Sequence, residues 1–217
     1  MANAQQRPKG SVRVAAPPVL TSMMIVPELP KFFDEFPDVS IELVVSERYA
    51  DLIQEGLDLA LRVGSLDDSR LVARQIGQMQ FATVGSPSYF AKHGVPLHPS
   101  DLVGHQLVTN RHLGEISNWR FGGSAPALLK PAAGQFSCNN PSDMHAAVLA
   151  GLGIAQGARG LFENELGSGL VTEVLSDFIP DPFPIHMLYV GPRISHRVRV
   201  VSDFLQQCIQ CQPNLRL

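Results

Sequence analysis

The sequence predicts an α/β protein. Its most informative segment is Glu47–Gly64, in which a helical pattern of apolar residues runs to Gly56, a helix stop, and a short apolar run ends at Gly64. Patterns typical of strands and helices alternate along both halves of the chain. With 45% hydrophobic and 17% charged residues, the 217-residue chain can bury a core. Strand–helix–strand units of this kind build parallel or mixed sheets, whose strand ends face a ligand crevice.

The first half predicts the element order β-α-β-α-β-β. Ser11–Ala15 alternates like a strand, and an apolar stripe at helical spacing follows it. Pro27 and Pro30 lie inside that stripe and predict a kink or a restarted helix, because an interior proline costs about 3 kcal/mol. The remaining elements of this half are the strand Val39–Val45, the helix and strand of Glu47–Gly64, and a long strand, Leu71–Val84, broken or bulged near Gly77.

The second half predicts shorter elements. A short helix, Tyr89–Lys92, follows Ser86 as its cap, His98–Leu102 is typical of a helix start, and Asn110–Lys130 is the least regular region. Further predicted elements are the strands Trp119–Phe121, Gln135–Asn139, Ile154–Ala158, Leu170–Leu175 and Pro184–Val190, and the helix Asp143–Leu152. After Ser195 comes an amphipathic helix with one apolar face, formed by Val198, Val201, Leu205, Cys208 and Ile209.

Composition argues against several classes of protein. The net charge of −3 gives no sign of a nucleic-acid surface on this chain. No apolar run approaches the roughly 20 residues of a membrane span. Met1–Gly10 lacks the apolar core of a secretory signal, and three cysteines argue against a disulfide scaffold. These observations favour a cytoplasmic location without membrane association.

No catalytic or metal-binding pattern stands out. Cys208 and Cys211 are spaced C-x-x-C on the last predicted helix, without a second pair of ligands for a tetrahedral zinc ion. A thioredoxin-like pair would precede a helix, whereas this pair lies at a helix end. The chain has no G-x-S-x-G, no P-loop and no G-x-G-x-x-G. We therefore expect no catalytic residues, no metal ligands and no cofactor.

The segment Glu47–Gly64 also resembles the D-L-x-x-x-G-x-D-x-A-[IL]-R-x-G stretch of LysR-type transcriptional regulators. Matching stretches continue in the same order and spacing: Gly10–Pro17, Phe33–Val39, Leu71–Ala73, Ser86–Gly94, Asp101–Gly104, Trp119–Phe121, Ala146–Ile154 and Gly169–Leu175. On this set the chain is identified as a member of that family.

The resemblance implies two Rossmann-like α/β lobes joined by two crossover strands, the type 2 periplasmic-binding-protein-like fold of the family's effector domain. Residues 1–10 would be residual linker, 11–83 and 188–217 lobe I, and 84–187 lobe II. Full members of the family begin with a winged helix-turn-helix and a linker helix. We therefore expect DNA contact only through an N-terminal domain that this chain lacks.

The implied function is inducer sensing and oligomerisation. A small molecule in the interlobe cleft would favour one lobe arrangement and so alter a homodimer or homotetramer. The stretches around Ser86–Gly94 and Asp101–Gly104 are similar to regulators of aromatic-acid and quinone-stress responses, so aromatic and carboxylate-bearing effectors are candidates. The family also implies that Leu20–Phe36 and Val39–Val45 form the dimer face. Two alternatives stay open: an enzyme (dehydratase or transferase) on the same fold, and a solute-binding protein of a transporter.

The first candidate ligand contact is the turn after the first strand, Pro17, Pro18, Val19, Leu20 and Thr21, where a helix N-terminus offers unpaired N–H groups. The family often places Ser or Thr at the position of Val19 to hold an acid group. Val19 and Leu20 leave Thr21 or Ser22 as substitutes and predict a less anionic or bulkier apolar ligand. The alternative is an ordinary turn and helix start.

Two further candidates lie in the second half. In the turn Asn139–Ser142, Asn139 and Asn140 either contact the ligand or cap the next helix. At the first crossover, Gly85 lies at the hinge, and Ser86 either caps the next helix or faces the ligand. Gln156 replaces the apolar residue usual in the family and adds a polar contact.

Arg48 and Arg62 are the cations nearest the expected cleft, and Val63 and Gly64 border it with Arg62. An arginine there is able to pair with a carboxylate through two hydrogen bonds, or to tie the strand to an acidic residue of the fold. Both interpretations remain open at this point.

Overall fold

The computed structural model describes residues 7–45, 52–66, 71–112, 115–122, 127–132, 134–191, 193–212 and 215. The chain divides into two compact units, each with its own sheet. Unit 1 comprises residues 1–78 and 183–217, and unit 2 comprises residues 79–182. The boundaries expected from the family, after residues 83 and 187, lie a few residues later at both crossings.

Unit 1 begins with β1 (Gly10–Ala16), which is followed by a helical segment of changing hydrogen-bond pattern. This segment contains α1 (Pro18–Leu20), a π-helical stretch (Thr21–Ile25), a 3-10 turn (Val26–Glu28) and α2 (Leu29–Glu35). Pro27 and Pro30 lack the N–H that a regular α-helix needs. Of the two predicted outcomes, the restarted helix is confirmed, because α2 begins at Leu29 after the 3-10 turn. Next come β2 (Val39–Val45), β3 (Leu59–Val63) and β4 (Val72–Met79).

Unit 2 begins with β5 (Phe81–Gly85), α3 (Pro87–His93) and a 3-10 helix (Pro99–Gly104). The later elements are β6 (Leu107–His112), β7 (Glu115–Ile116), β8 (Trp119–Phe121), β9 (Ala127–Leu129), β10 (Phe136–Cys138), α4 (Pro141–Leu149), β11 (Ile154–Ala158), α5 (Glu163–Ser168) and β12 (Thr172–Val174). The main sheet has the order β10-β6-β11-β5-β12, in which β10, β6 and β11 run parallel, and β7 adds to β6. β8 pairs with β9 in a separate ribbon.

The chain returns to unit 1 with β13 (Phe183–Tyr189) and α6 (His196–Gln210). The unit 1 sheet has the order β2-β1-β3-β13-β4, with β1 parallel to β2 and β3, and β13 antiparallel to β3. The predicted apolar face of α6 is confirmed, because all five of its residues are buried. Ser195 stands at the N-cap position, but its side chain makes no capping hydrogen bond.

The two faces of the unit 2 sheet carry separate apolar cores. Ala82, Val84, Val108 and Ala155 face α4 and its Met144 and Val148. The opposite face holds Ile154 together with Tyr89, Phe90, Leu102, Trp119 and Phe121. On β11 the neighbours Ile154 and Ala155 thus enter different cores, as the two-residue period of a strand requires.

Three predicted elements need correction. The long strand Leu71–Val84 is interrupted at Gln80, not near Gly77, which lies inside β4. A Cβ at Gly77 would lie 2.4 Å from Ile209 Cγ2, so the glycine serves close packing and not a bulge. Residues Leu52–Gly56 form turns where a helix was expected, and the earlier part of that predicted helix lies outside the described residues.

The helix predicted at Asp143–Leu152 begins at Pro141 and ends at Leu149. Proline is favoured at the first helical position, because its missing N–H would have no partner there. The strand β6, which begins before the region that looked irregular and ends inside it, was not predicted. No helix among the described residues is both long and apolar enough to cross a membrane.

Candidate functional site

The first group of predicted site residues lies where two parallel strands of unit 1 end. β1 and β3 are paired with Val14 beside Leu59 and Ala15 beside Ala60. Continuing this register by two residues sets Pro17 beside Arg62. The fold therefore brings the Pro17–Thr21 turn and the Arg62–Gly64 strand end to the same edge of the sheet, where α/β proteins bind ligands.

The turn after β1 offers few free polar side chains. Val19 is 8% exposed and Leu20 is fully buried, so both contribute to packing. Thr21 Oγ1 and Ser22 Oγ each donate a hydrogen bond to the Pro18 carbonyl oxygen at 2.8 Å. The hydroxyl hydrogens of both predicted substitute anchors are therefore used within the helix.

Arg62 lies on the buried strand β3 and is 5% exposed. It stands directly opposite His186 of β13 in the antiparallel register. The Nδ1 atom of His186 is buried and has no hydrogen-bond partner within the described part of the chain. Sequence reasoning missed His186, because the residue that opposes Arg62 depends on a pairing between strands more than 100 residues apart.

Gly64 ends β3 in a backbone conformation that other residues rarely adopt, with φ of 103°. Its N–H donates to the Pro184 carbonyl oxygen at 2.8 Å, which extends the pairing with β13. A Cβ at this position would meet no atom within 4 Å, so the glycine is required by conformation and not by space. Arg48, the other predicted cation, lies outside the described residues.

At the start of unit 2, Ser86 acts as a helix cap. Its Oγ accepts a hydrogen bond from the Tyr89 N–H at 3.2 Å and lies 3.0 Å from Ser88 Oγ. Gly85 ends β5, and a Cβ there would lie 2.5 Å from the ring of Phe90. Both residues therefore have structural roles at this turn.

The turn after β10 divides the two predicted roles between neighbouring residues. Asn140 is the N-cap of α4, because its Oδ1 accepts a hydrogen bond from the Ser142 N–H at 2.9 Å. Asn139 is exposed, and its side chain makes no hydrogen bond with other described residues. Asn139 therefore keeps a complete amide available for a ligand.

Gln156 is 8% exposed and uses its amide within unit 2. Its Oε1 accepts a hydrogen bond from the Arg120 N–H at 2.9 Å. Its Nε2 donates to the Arg120 carbonyl oxygen at 2.9 Å and to Thr83 Oγ1 at 3.3 Å. Both amide hydrogens are thus bound by protein atoms, and only Oε1 keeps accepting capacity for a ligand.

Thr109 is a second polar residue that sequence reasoning missed. It is fully buried on β6, and its Oγ1 has no hydrogen-bond partner in the described ranges. Ile154 pairs with Leu107 along β11 and β6, so the same register places Gln156 beside Thr109. Buried polar residues thus run across the sheet from Thr83 through Gln156 to Thr109. In LVTNRH two apolar residues precede four polar ones, so no alternation marks this strand in the sequence.

Among the described residues, neither the cysteines nor the paired glutamates form a ligand site. Cys208 and Cys211 are free thiols, and burial raises the pKa of Cys208 to about 12. Glu163 and Glu165 are engaged by Arg159 and His145, at 2.6 and 3.1 Å respectively. Within the described ranges, no group of three or more His, Cys, Asp or Glu side chains is arranged to hold a metal ion.

A cavity of about 390 Å³ in unit 1 contains none of the predicted site residues. Its walls are formed by Arg7, Pro8 and the turn Asp34–Asp38. Three carboxylates among these residues do not suit an anionic ligand.

Residues 5–210 match the LysR substrate binding domain family. The chain is 31% identical over 202 residues to the HTH-type transcriptional regulator CrgA of Neisseria meningitidis, covering 91% of this chain and 67% of that protein. A regulator of Xanthomonas campestris is also 31% identical, with 93% and 60% covered. The chain thus spans 60–67% of the length of these two relatives.

Solved structures agree with these relatives. The structure of CrgA superimposes with a TM-score of 0.84 at 29% identity, covering 94% of this chain and 70% of that one. Full-length AphB, the Vibrio cholerae virulence activator, gives a TM-score of 0.81 at 32% identity, with 91% and 68% covered.

Proposed function

The chain belongs to the LysR substrate-binding-domain family, and from this membership we propose that it senses a small-molecule effector for a DNA-binding transcriptional regulator. The match over residues 5–210 carries the proposal, because it includes both units. The relatives named above are transcriptional regulators and not enzymes, which confirms the expectation of a non-enzymatic protein. Nothing in the comparisons supports the enzyme or the transporter alternative. DNA contact through a further domain and a cytoplasmic location are part of the proposal.

Two groups of residues are the proposed effector contacts, one in each unit. In unit 1 these are the Pro17–Thr21 turn and Arg62–Gly64, which share one sheet edge. In unit 2, Asn139 is the best supported candidate, since its amide is exposed and makes no hydrogen bond with the described residues. Ser86, Asn140 and Gln156 are engaged in capping or backbone hydrogen bonds, so their contribution to binding is indirect.

A thermal-shift screen tests this function with small aromatic acids, quinones, phenols, amino acids and organic acids. Binding to the folded state stabilises by about 2.7 kcal/mol at a hundred times the Kd, which raises the unfolding midpoint. We expect a hit whose shift is lost in Asn139→Ala. The matched control is Asn140→Ala, which removes a helix cap and costs about 1 kcal/mol without ligand. A shift that survives Asn139→Ala would move the ligand away from this turn, and no hit would contradict these effector classes.

The turn after β1 supports an effector with little negative charge. Val19 and Leu20 are buried, and the hydroxyls of Thr21 and Ser22 donate to Pro18. Within the turn itself, a simple carboxylate would find only backbone N–H groups. Succinate, as a small dicarboxylate, should therefore bind weakly, and Val19→Ser should strengthen its binding in calorimetry. Tight succinate binding that is insensitive to residue 19 would contradict this effector class.

We also propose that Leu20–Phe36 and Val39–Val45 form a dimer face. β2 is the edge strand of its sheet, and apolar residues on this part of the chain are exposed, with Val26 at 48% and Val45 at 53%. Sedimentation should show a dimer that Val26→Glu dissociates. Leu170→Glu, an equally apolar position 61% exposed in unit 2, is the matched control and should leave the dimer intact.

A further inference from the structure

Tyr89 of α3 joins two histidines and the start of two strands in unit 2. Its side chain is 2% exposed, and its oxygen accepts a hydrogen bond from the Gln106 N–H at 2.8 Å. The same oxygen lies 3.2 Å from His105 Nδ1. The ring of His93 stacks on the tyrosine ring, with centroids 4.6 Å apart.

These contacts define where the protons lie. The phenol has one hydrogen, and no acceptor for it other than His105 Nδ1 is found among the described residues. Tyr89 therefore donates to Nδ1, and His105 is neutral with its proton on Nε2. Protonation of Nδ1 would turn this acceptor into a donor. The phenol hydrogen would then have no acceptor in a buried site, which costs free energy.

The polar chain continues from Tyr89 into the sheet. Gln106 precedes β6, and its carbonyl oxygen accepts a hydrogen bond from the N–H of Ile154, the first residue of β11. Gly153 packs so closely that a Cβ would lie 2.4 Å from that carbonyl oxygen. A displacement of Gln106 would therefore move the starts of both parallel strands.

We propose that His105 is a proton-operated switch of unit 2. Neutral His105 holds Tyr89 and the Gln106 turn in the arrangement described above, and protonated His105 favours an arrangement in which its ring leaves Tyr89. Protonation thereby shifts the equilibrium between two arrangements of the residues at the start of β6 and β11. Of these strands, β11 carries Gln156. This switch does not depend on the identity of the effector.

The charges around His105 agree with this role. The groups that act on it are Tyr89 and His93 from α3 and Asp101 from the adjacent 3-10 helix. Burial, and secondarily the nearby His93, lowers the pKa of His105, and Asp101 opposes them. A lowered pKa in the folded state means that stability is complete above the ordinary histidine pKa of about 6.5 and decreases as the pH falls below it.

Histidine and amide NMR titrations of the whole chain test the proposal. We expect His105 to titrate below the ordinary histidine pKa of about 6.5, and the amide signals of Gln106 and Ile154 to move with the His105 midpoint. His105→Asn keeps an acceptor near the Nδ1 position but takes up no proton, so these amides should stop responding. In Tyr89→Phe, His105 should still titrate while the two amides no longer follow it.

Thermal unfolding supplies an independent measurement between about pH 7.5 and 5.5, a range that brackets the ordinary histidine pKa. Acidification should lower the midpoint of the unaltered chain by roughly 2–4 °C more than that of His105→Asn. A His105 midpoint at or above the ordinary histidine pKa of about 6.5, or an unchanged pH dependence in His105→Asn, would overturn the switch.

Discussion

The side-chain amide of Gln156 forms the two hydrogen bonds of a β-ladder with the backbone of Arg120. Its Oε1 accepts from the Arg120 N–H and its Nε2 donates to the Arg120 carbonyl oxygen, both at 2.9 Å. A side chain of β11 thus takes the place of a neighbouring strand beside β8. This pairing holds Trp119 and Phe121, which flank Arg120, over the sheet on which both are buried.

Gln156→Leu should therefore destabilise the chain although leucine fills the space and apolar residues are usual here in the family. The change removes these two hydrogen bonds and one to Thr83, and leaves the backbone groups of Arg120 without this partner. We expect a loss of about 1–3 kcal/mol in urea unfolding. Thr83→Val, which removes only the 3.3 Å bond, is the control and should cost less. An equal loss in both variants would contradict the ladder.

A second prediction concerns Gly77 inside β4. A Cβ there would lie 2.4 Å from Ile209 Cγ2 and 2.6 Å from the Leu215 carbonyl oxygen. Because one of these neighbours is a backbone atom, Gly77→Ala should lower the free energy of unfolding, measured in urea, by about 1–3 kcal/mol or more. Gly104→Ala is the control, since a Cβ at Gly104 would meet nothing within 4 Å. Similar stabilities of the two variants would show that α6 moves enough to accommodate the added methyl group.

Gly77 also shows what local pattern does not reveal. From the sequence, an isolated glycine in an apolar run predicts a bulge, whereas the structure uses it where α6 and the end of the chain approach the strand. By contrast, β2 has the predicted bounds, Val39–Val45, and the five apolar residues of α6 are all buried. Those elements depend on periodicity within one segment, and the role of Gly77 depends on segments more than 100 residues away.

The candidate site divides in the same way. The capping roles of Ser86 and Asn140 are local, and the sequence predicted them as one of two open alternatives. The pairs Gln156–Arg120 and Arg62–His186 depend on strand order and register, which no local pattern contains. The family resemblance supplied the two lobes, the two crossovers and the turns that carry the candidates, but not which polar atoms are already bound by the protein.

A third prediction concerns acid stability and Asp101. Hydrogen bonds from the backbone N–H groups of His98 and Leu97 lower the pKa of this carboxyl group. Since the pKa is lower in the folded state, the stabilisation is present above the ordinary value of about 3.9 and is lost as the pH falls through the folded-state pKa. Asp101→Asn should be less stable than the unaltered chain at neutral pH, with urea midpoints that converge on acidification.

The control is Asp177→Asn in the 3-10 helix Ser176–Phe178. No hydrogen bond to the Asp177 carboxylate is found among the described residues, and the side chain is exposed. At neutral pH its urea midpoint should therefore stay close to that of the unaltered chain. Parallel curves for Asp101→Asn and the unaltered chain would show that the two backbone hydrogen bonds do not stabilise the charged form.

Two serines at helix starts give the last prediction. Ser86 and Ser195 both stand at N-cap positions, but only Ser86 accepts a hydrogen bond from the helix, from the Tyr89 N–H at 3.2 Å. Ser86→Ala should cost about 1 kcal/mol, because the Tyr89 N–H loses its side-chain acceptor and keeps only the Ser86 carbonyl oxygen at 3.1 Å. Ser195→Ala should be close to neutral in the same urea titration. Equal costs would mean that residue type at the N-cap, and not the observed hydrogen bond, determines the stabilisation.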